Sequence, residues 1–256
     1  QLYENPERVK RILYISVLAF VNAIIVGFIA KGLVLLINFF TNIFFYGQFS
    51  VQEVSPGQNT LGYWVVVIPI IGGLIVGIMA RFGSRAIRGH GIPEAMEKIF
   101  KEESRIHPVI TILKPLSAAI SIGAGGPFGA EGPIISTGGA LGSFCGQTLR
   151  ITAQERKILL AGGATAGMTA IFGTPFAAIL LAIELLLFEF SARSFVPVMI
   201  ACVTGACMHY LLFSTLPTFP MAEVPQADIH AVIAYAIMGI IFGLMSVIVT
   251  TTVYII

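Results

Sequence analysis

A carboxylate placed in the string Gly129-Ala130-Glu131-Gly132-Pro133, within an otherwise apolar stretch, is the residue of this chain best suited to chemistry. A charged side chain at membrane depth costs roughly 2.5–3.5 kcal/mol or more unless something answers it. Proline is tolerated in the first turn of a helix, where no backbone donor is lost. Helix starts present free N–H groups and a partial positive charge. Glu131 therefore reads as an anion held at a helix N-terminus within a bilayer, and whatever replaces it when it moves or takes a proton is also an anion. The motif Gly89-His90-Gly91-Ile92-Pro93-Glu94 and the break Phe172-Gly173-Thr174-Pro175 share the design of a glycine followed by a proline and a new helix. Interrupted helices whose N-termini point at a midplane site are a device of transporters and channels.

The elements that must position these residues are membrane helices. Of the 256 residues, 56% are hydrophobic and only 11% charged, well below the quarter or so that is charged in an average soluble domain. Apolar segments fall near 12–46, 61–80, 108–130, 132–149, 157–173, 175–190, 195–215 and 229–256. A full span needs about 20 residues, so the first segment must tilt while several others are short or broken. Gly138, Gly142 and Gly146 form a stripe on one helix face, and Gly163 and Gly167 repeat the spacing, which predicts close helix contacts. Arg8, Lys10 and Arg11 precede the first span, and Arg81, Arg85 and Arg88 follow the second. The loop between these spans, 47–60, carries only Glu53, which predicts a cytoplasmic N-terminus for this multi-pass chain. The charges between Arg150 and Lys157 are mixed and give no orientation.

Other chemistry finds no support. A net charge of +2 with no dense basic run does not suggest a nucleic-acid partner. Cys145, Cys202 and Cys207 all lie in apolar stretches and read as small packing residues. No nucleotide loop, nucleophile–base pair or metal cluster stands out, so neither an enzyme activity nor a cofactor is expected. Lys31 reads as a packing or snorkelling lysine.

The ordered motifs resemble those of the CLC family of chloride channels and proton/chloride antiporters. The family signature Gly-Ser-Gly-Ile-Pro-Glu is similar to residues 89–94, and Gly-Arg-Glu-Gly-Pro to residues 129–133. A family lysine matches Lys114, 17 positions before Glu131, and the stretch from Leu159 to Glu184 is similar as well. The resemblance covers about residues 10–256. It implies an all-α polytopic bundle of tilted and broken helices, with a first inverted repeat over about 10–215 and a second that begins near 229 and stops after one helix. Gly27 and Gly32 against Gly239 and Gly243 echo that repeat.

The resemblance further implies a homodimer in the bilayer with one pore per subunit. Chloride or a related halide is the cargo, with protons as a second possible one. The implied anion site comprises Gly89, His90, Gly91, Ile92, Pro93, Ala130, Glu131 and Gly132, with Glu131 the protonatable gate. Lys114 has the alternatives of attracting anions at long range or pairing with nearby carbonyls.

Three departures carry weight. His90 stands at a family serine, Ala130 at an arginine beside the gate, and Leu185 at the inner glutamate of many antiporters, one place after Glu184. Glu184 and Glu189 read as a helix end ion-paired with the nearby Arg193, or, for Glu184, as part of a proton path. Leu185 tilts the mechanism toward a channel or weakly coupled transporter. A proton/chloride antiporter, a fluoride transporter and a non-conducting scaffold or anion sensor are the alternatives.

Overall fold

The computed structural model describes residues 6–83, 87, 91–101, 103–149, 151–213 and 228–255, and these contain helices and connections without a β-strand. The chain forms two units, Gln1–Thr218 and Phe219–Ile256.

In the first unit, α1 (Pro6–Thr41) continues through a π-helical turn (Asn42–Tyr46) and stops where Gly47 takes the left-handed conformation, φ 64°. Its 36 residues correspond to about 54 Å of rise, well beyond the hydrocarbon thickness, in keeping with a tilted helix. The Asn42 amide donates to Asn38 O (2.9 Å) and Gln52 O (2.8 Å), fastening the end of α1 to the loop that follows. A 3₁₀ turn (Gly62–Val66) leads into α2 (Val67–Phe82), and α3 (Gly91–Lys101) is short and amphipathic. Then come α4 (Ile110–Gly123), α5 (Glu131–Thr148), α6 (Ala153–Phe172), α7 (Pro175–Leu181) with a π-helical extension (Ala182–Leu187), and α8 (Ala192–Leu212).

The centre of this unit is α6, which packs against α1, α5 and α8 and is buried along nearly its whole length. Its start is fixed by a capping box: the Thr152 hydroxyl accepts from the Glu155 amide, and the Glu155 carboxylate accepts from the Thr152 amide at 3.0 Å. The glycine stripe operates as its spacing predicts. A Cβ on Gly138 would lie 2.2 Å from Gly163 O, and one on Gly142 2.1 Å from Leu159 O, so α5 and α6 run antiparallel with backbones in contact. In lipid, where tails are as apolar as leucine, such contact is what drives helix association.

Leu33, Ile134, Ile135 and Leu160 are fully buried members of one core cluster. The connection between α3 and α4 is pinned to α5. Ser143 Oγ donates to Ser104 O (2.6 Å) and accepts from the Ile106 amide (2.9 Å).

The second unit is α9 (Ile229–Ile255), apolar throughout. Among the described residues, four stretches are long and apolar enough to cross a membrane: Pro6–Tyr46, Gly62–Phe82, Ala192–Leu212 and Ile229–Tyr254. Ile110–Gly123 and Pro175–Leu187 are shorter apolar helices, matching the short and broken segments expected from the sequence.

Candidate anion site at two helix starts

The first two interrupted segments meet. A cavity of about 440 Å³ is lined by Gly91 at the start of α3, by Glu131, Gly132 and Pro133 at the start of α5, and by Lys114, Ser117 and Ser121 on α4. The loop Pro127–Gly129 together with Val76, Ile87, Ala118 and Ile122 completes the wall. The two helix starts touch through backbone. A Cβ on Gly91 would lie 2.3 Å from Gly132 O and 2.5 Å from Gly132 Cα, so only glycine allows the approach at position 91. Two partial positive helix ends thus face one space.

Glu131 is the first residue of α5, two places ahead of Pro133. The preceding residue, Ala130, provides no side-chain cap. The Glu131 carboxylate is exposed at the cavity wall and makes no hydrogen bond or ion pair with a described residue.

Lys114 is buried, 4% exposed, with its ammonium answered. Nζ donates to Glu94 Oε2 (2.9 Å) and to Ile87 O (3.3 Å). Ser136 Oγ donates to the same Glu94 oxygen at 3.4 Å. Glu94 thereby joins α3, α4 and α5 beside the cavity. In the sequence Glu94 stands only as the end of a motif, with no role of its own. Its signal was an acid in the first turn of a helix that is basic at its other end. Ser117, Ser121 and Ser136 were likewise not singled out, since a lone serine in an apolar run carries no signal of its own.

The remaining expected residues fall as follows. Gly89 and His90 lie outside the described residues. Ile92 and Ala130 pack against the hydrophobic core, and neither they nor Pro93 are among the cavity-lining residues. The third break forms a tight corner elsewhere. Gly173 (φ 66°) ends α6, Pro175 starts α7, and a Cβ on Gly173 would lie 3.1 Å from the His209 ring. His209 Nδ1 donates to Ala170 O at 2.9 Å, so this corner is packed on α8 and contributes no cavity-lining residue.

Glu184 and Leu185 are exposed in the π-helical extension of α7. Arg193 approaches Glu155 (4.0 Å), a carboxylate at the start of α6, instead of the acids nearer in sequence. Lys31 places its ammonium 4.7 Å from the centre of the Phe213 ring, a cation–π contact.

Comparison with known proteins gives a consistent set of relatives. A family model described as "Voltage gated chloride channel" matches residues 71–256. The putative chloride channel protein ClcB-like of Ralstonia nicotianae is 23% identical over 198 residues, 75% of this chain and 46% of its own length. The H(+)/Cl(-) exchange transporter ClcA of Yersinia pestis is 33% identical over 177 residues, 67% of this chain and 36% of its own. A solved structure of a slow cyanobacterial Cl-/H+ antiporter superposes with a TM-score of 0.66 at 21% identity, covering 94% of this chain and 55% of that one. This chain spans less than half the length of these curated relatives.

Proposed function

Because the chain belongs to the voltage-gated chloride channel family, we propose that it forms part of a transmembrane pathway for chloride or a related anion, with Glu131 as a protonatable gate. The observation that carries this reading is the convergence of two helix starts and an unbonded carboxylate on one cavity. Bare chloride in a low-dielectric medium is costly, so a pathway must substitute donors for water. Backbone N–H groups at helix starts do this without a full fixed charge, so the ion can also leave. A carboxylate at the same place competes with the anion until it is protonated. On this reading the anion contacts come from Gly91, Glu131 and Gly132, and the matching motif extends them to Gly89 and His90. The subunits pair as homodimers, and the N-terminus faces the cytoplasm.

Proton-coupled exchange has at least as much support among the relatives as a channel does. The Yersinia relative and the cyanobacterial structure are both named as proton/chloride exchangers. That moves the balance away from the channel expected from Leu185 alone. The channel reading keeps two supports, the name of the Ralstonia relative and Leu185, which cannot accept a proton. Liposome flux separates the two. Chloride efflux from loaded vesicles accompanied by proton uptake supports exchange, and efflux without proton movement supports a channel. Absence of flux from the reconstituted full-length protein refutes transport altogether.

A further inference from the structure

A second cavity, of about 970 Å³, shares no lining residue with the first and lies where α1, α6 and α8 begin. Arg8, Arg11, Arg193, Glu155 and Ser191 form its polar wall, and Ile12, Ile15 and Ile158 its apolar one. Glu155 is fully engaged. Its two oxygens accept from Arg11 Nε and from Arg11 Nη2 (2.8 Å), Oε2 also accepts from Thr152 Oγ1 (2.8 Å), and Arg193 stands 4.0 Å away. One carboxylate therefore faces two guanidiniums, while Arg8 makes no ion pair with a described residue. Glu7, the other acid on the wall, is paired with Lys10 at 3.0 Å.

Three helix starts add their partial positive charge to this excess. Ser191 gives α8 no side-chain cap, its hydroxyl lying 2.8 Å from the Ser194 hydroxyl. The stretches headed by α1 and α8 are both candidate spans whose apolar runs begin here. Two candidate spans begin at this cavity, and the ends of spans are where lipid headgroups meet a membrane protein.

We propose that this cavity is a phosphate-binding site, with Arg8 and Arg193 clamping the phosphate oxygens at the uncapped start of α8. Guanidinium forks match phosphate geometry with paired N–H donors. Basic clefts between membrane helices at the headgroup level recognise anionic lipids. The isoleucine wall suits the glycerol and first methylenes of a phospholipid.

The test uses the full-length protein in detergent, stripped of lipid, and the variants Arg8→Gln and Arg8→Gln/Arg193→Gln. Both leave the Arg11–Glu155 pair in place. The probes are phosphatidylglycerol, phosphatidylcholine and inorganic phosphate, with binding read by native mass spectrometry. Phosphatidylglycerol is expected to bind about tenfold tighter than phosphatidylcholine, whose ammonium offsets its phosphate charge, with that margin lost when both guanidiniums are removed. Competition by millimolar inorganic phosphate identifies a free-phosphate site, and failure to compete identifies a headgroup site. Equal binding of the two lipids with no bound phosphate overturns the proposal, as does a double variant that binds like the parent. Should the double variant elute as aggregate, Arg8→Gln alone decides, because Arg8 is exposed and its replacement removes no packing.

Discussion

Glu131 stands at the start of α5 on the cavity wall with no partner among the described residues, and on the proposed reading it is the gate. On the transport reading, Glu131→Gln mimics the protonated gate permanently. Anion flux into liposomes should then persist and lose its dependence on pH; a variant with the parental pH profile would show that the gate lies elsewhere. Lys114 is different, because its charge is shared with Glu94 at 2.9 Å in a buried setting. Removing one member of a buried pair costs about 3–5 kcal/mol, whereas replacing both by apolar groups is often nearly neutral. Lys114→Met is therefore expected to unfold at clearly lower SDS in titration, and Lys114→Met/Glu94→Leu to recover most of the loss. The residue type and place of Lys114 were legible in the chain, but its partner was not. Glu94 lies 20 positions away in sequence, and no local spacing announces that α3 and α4 come together there.

At the level of elements, the contact between α5 and α6 sets where the α5 start points, and hence where Glu131 sits. Gly138 and Gly139 are neighbours with opposite tolerance. A Cβ at 138 meets Gly163 O at 2.2 Å, while one at 139 meets only Leu160 and Ala164 side chains at 3.5 Å or more. Gly138→Ala should cost about 1–3 kcal/mol through overpacking. Gly139→Ala should be neutral or stabilising by up to about 1 kcal/mol, since alanine is the better helix former. Thermal unfolding in detergent checks both, and equal effects would mean that the two helices do not touch along this stripe.

The stripe itself was readable, because a four-residue repeat of glycines has one packing meaning in lipid. Helix starts were readable only to within a turn. Pro93 and Pro133 each sit two residues inside their helices, whereas Pro175 opens its own. Proline is compatible with any position of a first turn, so it marks the turn and not the first residue.

At the level of the whole molecule, three helices are tied together at one end by Glu155, which Arg11 of α1 binds and Arg193 of α8 approaches. Hydrogen bonds from Arg11 hold the Glu155 carboxyl at about 2 against the upward push of burial, with Thr152 assisting. Its folded value is below its ordinary 4.5, so the unfolded chain binds more protons between the two. The stabilisation is complete above pH 4.5 and is lost as pH falls toward 2. Stability measured from pH 7 down to pH 3 should fall more steeply in the parent than in Glu155→Gln, and parallel curves would remove Glu155 from that role.

The charges from Arg150 to Lys157, unreadable as an orientation signal, are accounted for in part by such ties. Arg156 donates to Glu103 O (2.9 and 2.7 Å), and Lys157 to Leu187 O. The chain alone determined that this is a helical membrane protein with interrupted segments, a glycine seam and one carboxylate at a helix start. Composition, period and proline position are local properties of a sequence, and the bilayer leaves few ways to satisfy them. Only the tertiary structure decided that two of the three interruptions share a cavity while the third packs on His209, and which carboxylate each buried cation meets. Those outcomes depend on which helices lie side by side, and residues 20 to 144 positions apart become neighbours only once the backbones have packed.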